Sequence, residues 1–192
     1  ELGDSFVSAE NVLVKTLRLA QIASGCVTDE LGDEHIVDTS KADAAIDIVD
    51  GIESDEPIVV FGRFRAEISG MAERLDKAKI SYSKLIGGCN ELAEWQAGKT
   101  RVLLVNIQSG ALGIDCTRAR YNLHLSTGYN FANYDQSLAR TCRPGARLDS
   151  KIFYYHFNAK NTIDQQVSKA MIRKESVIDA ILNNLGQYRQ AA

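Results

Sequence analysis

The 192-residue sequence holds only two prolines, Pro57 and Pro144, so a proline-rich linker between domains is excluded. It has four cysteines, Cys26, Cys89, Cys116 and Cys142, with no CxxC pair and no cysteine–histidine cluster at metal-binding spacing. They read as small, reduced, partly buried thiols, as in a cytosolic or nuclear compartment, and no metal site is expected. No apolar run approaches the roughly 20 residues a membrane helix needs, and no secretory signal is present. A basic surplus is also missing: the net charge is −3, which argues against a free-standing nucleic-acid binder while allowing a few local phosphate contacts. The chain opens at Glu1 and reaches its first methionine at Met71, as expected of a piece of something longer.

What is there is an ordinary globular composition, 45% hydrophobic and 24% charged, enough for one generous domain. Val7 to Ala23 carries an apolar stripe at helical spacing and stops at Gly25. Cys26 to Thr39 is polar and acidic, a loop or hairpin. Ser40 is placed as cap of a second helix carrying Ala44, Ala45, Ile48 and Val49. From there, short apolar runs alternate with amphipathic stretches. Strands are expected at Pro57–Phe61, Ile80–Leu85, Arg101–Val105, Tyr121–Leu125 and Lys151–Phe157. Helices are expected at Arg65–Lys79, at Asn90–Gln96 with Asn90 as cap, at Phe131–Cys142 and at Thr162–Leu182. This alternation indicates βαβ units, an α/β fold with a parallel sheet sandwiched by helices. Ligands of such sheets sit outside the carboxyl ends of the strands.

Asp135 to Ala146 is the sharpest feature. On a helix, Gln136, Arg140 and Arg143 fall within roughly 60° of one another. The residues three and four positions from either arginine include no acid, so no local ion pair is available. Two guanidinium groups without local acids suit an external phosphate, which the planar donor fork matches. Solvated arginines, or pairing with a distant carboxylate, fit the spacing as well. Val105 to Asp115 follows a strand, and Gly110 and Gly113 permit close approach of backbone N–H groups to a ligand; an ordinary βα turn would look the same. Asp115 suits a ribose hydroxyl, the orientation of the arginines, or capping of the next turn.

Two look-alikes are set aside. Gly98-Lys99-Thr100 resembles the end of a phosphate-binding loop, but Ala93 stands at the first glycine position, and the segment follows a short helix and precedes a strand. Asp33-Glu34-His35 lies in the polar stretch, not at a strand end, and is not read as a magnesium-binding carboxylate motif. His124, within a strand, and His156, at a strand end, read as core and edge residues. Cys116 and Cys142 have no recognisable base partner for a cysteine enzyme.

Taken together in order and spacing, these stretches resemble the C-terminal RecA-like lobe of the Swi/Snf-type DNA-dependent ATPases of helicase superfamily two. The resemblance covers nearly the whole chain. Leu17-Arg18 through Gly25 is similar to the helix leading into that lobe, and Ser40-Lys41 to its next helix start. Ile58 to Phe64 resembles motif IV, and Leu85 to Gly88 the strand-end glycine after it. Trp95, Gly98 and Val102 to Val105 resemble the approach to motif V, and Asn106 to Asp115 motif V itself. Gly128 to Asn130, followed by Gln136, Arg140 and Arg143, resembles motif VI and its approach, and Thr162 to Val167 the Thr-Ile-Glu-Glu helix opening. Ala139, Ala146, Asp115 and Phe131 depart from the residues usual in the family. The compact spacing is most like phage or bacterial members, which implies the cytoplasm of a bacterial or phage-infected cell.

The resemblance implies a leading helix and acidic loop over 1–39 and a RecA-like lobe with its C-terminal helix over 40–192. It implies an ATP-dependent DNA helicase or translocase, with ATP and Mg2+ bound mainly by an N-terminal RecA-like lobe absent from this chain, so that this lobe alone would be inactive. Arg140 and Arg143 would be arginine fingers on the γ-phosphate. Gln136, Gly113 and Asp115 would line the nucleotide cleft. Asn106, Ile107 and Arg63 would meet the backbone of DNA, a duplex in this family. The alternative is a non-catalytic RecA-like module that binds nucleic acid or a partner protein.

Overall fold

The structure is a computed structural model that describes residues 9–29, 31–107, 114–127, 141 and 151–173. It opens with helix α1 (Ala9–Ala23), which ends where expected: Gly25 adopts φ 78. A Cβ there would lie 2.2 Å from the Asp38 carbonyl oxygen, so only glycine fits. The polar stretch that follows is a hairpin, β1 (Cys26–Thr28) antiparallel to β2 (Glu34–Ile36). Helix α2 (Ser40–Gly51) comes next. Ser40 is its first helical residue, not its cap; Thr39 occupies the cap position, and the Asp38 carboxylate accepts the Ser40 N–H at 2.8 Å.

The sheet proper contains β3 (Ile58–Gly62), β4 (Tyr82–Ile86), β5 (Cys89–Asn90), β6 (Val102–Asn106), β7 (Tyr121–His124) and β8 (Phe153–His156). Its order is β5-β4-β6-β3-β7-β8, parallel throughout except that β5 runs antiparallel to β4 at one edge. The expected parallel α/β sheet is therefore present. The unexpected β5 arises because Gly87-Gly88 turns the chain back on itself, with Gly88 at φ 87. Helix α3 (Arg65–Ala78) links β3 to β4, and the short α4 (Leu92–Gln96) precedes β6. Glu91, not Asn90, holds the α4 cap position, although the Asn90 side-chain oxygen accepts the Leu92 N–H at 3.2 Å. Helix α5 (Ile163–Arg173) closes the described chain. The Phe131–Cys142 helix expected from the sequence lies outside the described residues, Thr141 excepted.

Every residue of β3 and of β6 is buried, which explains their unbroken apolar runs: both faces of the sheet are covered. Ile58, Val60, Val102, Leu104 and Leu123 pack against Val49 of α2 and Ile68, Met71 and Leu75 of α3. Val59, Phe61, Leu103 and Val105 face the other way, onto Trp95, Ile107, Ile114 and Cys116. The buried indole of Trp95 donates to the Arg101 carbonyl at 3.1 Å. Arg101 in turn sends one guanidinium nitrogen to the carbonyls of Val49, Ile52 and Glu53 at 3.0, 2.8 and 3.0 Å. That satisfies the Ile52 carbonyl just past α2 and adds a donor to the Val49 and Glu53 carbonyls, and the cation suits the negative end of the helix dipole. A third apolar cluster joins Ala20 and Ala23 of α1, Cys26, Phe64 and Ala66 at the start of α3, and Ile163, Val167 and Met171 of α5. Cys26 and Cys89 are free thiols; burial pushes Cys26 up to about 12, which makes it inert.

Candidate functional site

The carboxyl ends of β3, β6 and β7 lie side by side, and their exits form one edge of the sheet. Arg63 follows β3, Asn106 ends β6 and Ser126 follows β7. Their polar groups hold one another. The Asn106 Nδ2 donates to the Arg63 carbonyl at 3.0 Å. The Arg63 N–H points to Ser126 Oγ at 3.1 Å and to Glu67 Oε2 at 2.9 Å. The same Glu67 oxygen accepts the Phe64 N–H at 3.0 Å and the Ser126 hydroxyl at 2.7 Å. Glu67 is 7% exposed, and burial pushes its carboxyl above the usual range, opposed by these hydrogen bonds and by Lys41.

This arrangement decides what the start of α3 can do. In open α/β sheets the N-terminus of such a helix is a natural phosphate site, because its backbone N–H groups are unsatisfied. Here the Ala66 N–H is taken by the Glu34 carboxylate from the hairpin, at 2.7 Å, and Arg63 and Phe64 are taken by Glu67. Two carboxylates thus accept three of the N–H groups at and just before the helix start. The Asp33-Glu34-His35 segment is thereby explained: Glu34 caps α3, and His35 pairs with Asp29 at 2.8 Å, which raises the imidazole and lowers the carboxylate. Gly98-Lys99-Thr100 does follow α4 and precede β6, so it opens no helix.

The expected site residues divide as follows. Arg63 and Asn106 are brought together, and the Arg63 guanidinium lies over the Phe64 ring, 5.1 Å from its centre. Ile107 sits one residue past β6, but its side chain is 5% exposed and packs in the core, so only its peptide group can face a ligand. Asp115 is exposed; its carboxylate accepts the Thr117 N–H at 2.9 Å and hydroxyl at 2.7 Å, the turn-capping arrangement. Gly113, Gln136, Arg140 and Arg143 lie outside the described residues. Within the arginine segment Thr141 is described: it is buried, and its hydroxyl is 3.0 Å from that of Tyr154 on β8.

His124 is a core residue as expected, 1% exposed, with its ring stacked on Phe61 and on His156, centres 4.8 Å apart in each case. Burial pushes it down to about 3, so the ring stays neutral and is too weak a base to take up a proton at neutral pH. Among the described residues no group of three or more His, Cys, Asp or Glu is placed to hold a metal ion, and no helix is long and apolar enough to cross a membrane. The residues that the sequence did not single out are Glu67, Ser126, Glu34 and Arg101. Glu67 carries the one faint signal, an acid three residues after a helix cap, but the cap is Phe64, not serine or threonine.

A largely parallel sheet in the order β5-β4-β6-β3-β7-β8, covered by helices, is an α/β fold of the RecA-like class. Residues 40–145, more than half of the chain, match the family model of the helicase conserved C-terminal domain. The chain belongs to that family. It is 26% identical over 183 residues to an uncharacterized ATP-dependent helicase of Mycoplasma genitalium, covering 91% of this chain and 17% of that protein. It is 27% identical over 189 residues to protein p41 of Acyrthosiphon pisum secondary endosymbiont phage 1, covering 95% of this chain and 40% of that one. DNA repair protein RAD5 of Cryptococcus neoformans is 22% identical over 173 residues, 84% of this chain and 14% of that protein. The Swi/Snf-type, phage-like resemblance holds in these relatives. Among solved structures, the C-terminal part of the Fun30 ATPase domain superposes with a TM-score of 0.60 at 15% identity, over 67% of this chain and 44% of that one. The Pyrococcus furiosus Hef helicase domain gives 0.54 at 21%, over 73% and 29%. Both share the fold. The chain spans well under half the length of these curated relatives.

Proposed function

We propose that this chain is the second lobe of an ATP-driven DNA helicase or translocase, completed by an N-terminal RecA-like lobe. The observation that carries this reading is the start of α3, where Glu34 and Glu67 accept the N–H groups of Ala66, Arg63 and Phe64, donors of the kind a phosphate-binding loop turns to its anion. ATP and Mg2+ are then held mainly by the first lobe. This lobe contributes Arg140 and Arg143 to the γ-phosphate, with Gln136, Gly113 and Asp115 beside the nucleotide. Phosphoryl transfer spreads negative charge over equatorial oxygens, and a positioned guanidinium stabilises it by about 10³–10⁵ in rate. Arg63, Asn106 and the peptide group of Ile107 meet the backbone of duplex DNA. Contacts of that kind position the protein without reading sequence, as a translocase requires. Opening and closing of the cleft between lobes moves the pair along the strand.

The test is DNA-stimulated ATP hydrolysis by the 192-residue chain alone and by the protein that joins it to a first lobe. Silence alone and activity together supports the reading. Robust hydrolysis by the chain alone overturns it, because a phosphate-binding loop would then lie within these residues. DNA binding without hydrolysis in both would favour the non-catalytic module.

A further inference from the structure

We infer that Glu67 is a positioning residue, a buried clamp that fixes the exits of β3 and β7 in the geometry with which Arg63 and Asn106 meet nucleic acid. This inference rests on the track reading above. Its basis is that one carboxylate oxygen serves three donors from two separate loops: the N–H groups of Arg63 and Phe64, and the Ser126 hydroxyl. A helix cap alone would need only Phe64. Arg63 lies before the cap, and Ser126 is 59 residues further along the chain.

The consequence falls on one peptide segment. The Arg63 N–H is held from α3 by Glu67 and from the β7 exit by Ser126, and its carbonyl is held from the β6 exit by Asn106. The backbone from which the Arg63 side chain springs is therefore tied to α3 and to two neighbouring strand exits at once. No apolar residue at position 67 can do this, since the bonds need an acceptor with open lone pairs.

Burial argues the same way. A carboxylate taken this far from water is a poor source of stability. Its second oxygen, Oε1, is buried and makes no hydrogen bond, and Glu67 lines a small cavity together with Ser24, Thr39, Lys41 and Gly70. Lys41, which pairs with Asp164 at 2.7 Å, supplies compensating positive charge. What the carboxylate gains for the molecule is the common geometry of the loops.

The experiment uses the two-lobe protein and reads the half-saturating concentration of duplex DNA in ATP hydrolysis. Glu67→Ala should raise it about tenfold, the loss typical of removing a charged hydrogen-bond acceptor, with a smaller fall in kcat. Glu67→Gln, whose carbonyl accepts the same three bonds, should recover most of the loss. Ser126→Ala removes both bonds from the β7 exit and leaves the α3 cap intact, so it serves if Glu67→Ala folds poorly; it should weaken DNA stimulation in the same direction. Amide hydrogen exchange on the 192-residue chain gives a second readout: Glu67→Ala should deprotect Arg63 and Phe64 while Val59 and Val60 stay protected. Arg63→Ala separates the two readings. If it leaves half-saturating DNA unchanged, the track reading falls and this inference with it. If it weakens DNA use but Ser126→Ala does not, or if Glu67→Gln fails to recover, the clamp alone is overturned.

Discussion

Replacing His124 with phenylalanine should make the protein markedly more resistant to acid. The ring is completely buried against Phe61 and His156, and burial, helped by the nearby His156, pushes it from 6.5 down to about 3. In the folded state it therefore stays neutral, whereas in the unfolded chain it takes up a proton as the pH falls below 6.5. Because the folded value is the lower one, the unfolded state binds more protons across that window, and stability falls with pH. At 1.36 kcal/mol per unit, the whole interval from 6.5 to about 3 corresponds to about 5 kcal/mol. Between pH 7 and pH 4.5 the share lost is about 2–3 kcal/mol, a large part of the 5–15 kcal/mol typical of a domain. Phenylalanine keeps a flat ring between the same neighbours and cannot titrate. Urea unfolding at the two pH values, for both proteins, isolates the effect as a difference of differences. The lowered carboxylates of Asp29, Asp38 and Asp43, the raised groups of His35 and Glu67, and the lowered His156 are common to both proteins. Equal losses in the two proteins between pH 7 and 4.5 would refute the reasoning.

Other outcomes follow from single contacts. Arg143→Ala should reduce ATP turnover of the two-lobe protein by about 10³-fold or more with the thermal transition unchanged; undiminished turnover would remove it from the site. Gly25→Ala should destabilise by about 1–3 kcal/mol in chemical denaturation, because the residue has φ 78 and the new methyl would lie 2.2 Å from the Asp38 oxygen. Arg101→Ala leaves the Ile52 carbonyl without its donor, weakens those of Val49 and Glu53, and should cost about 2 kcal/mol. Arg101→Lys, which loses the second attachment through Nε to the Glu56 carbonyl, should recover only part of it.

The sequence by itself determined the order of elements and the class of sheet. The runs around Val59, Leu103 and Leu123 are apolar without alternation because both faces of a parallel sheet are covered, and that signature needs no coordinates. Gly25 and the turn at Gly88 are legible for the same local reason: backbone with positive φ selects glycine. His124 is legible as core because a strand of buried neighbours surrounds it. The caps were less legible. Ser40 and Asn90 have the right chemistry, but the helices start one residue away from where they would cap, since neighbouring Asp38 and Glu91 settle the local backbone. Only the tertiary structure decided the rest. Glu67 and Ser126 are 59 residues apart and meet because β3 and β7 are sheet neighbours, a pairing that strand order alone creates. Glu34 reaches α3, and Arg101 reaches the end of α2, across similar gaps in sequence. Local pattern reports what a segment prefers; which carboxylate reaches a helix start depends on groups that only folding brings within about 3 Å.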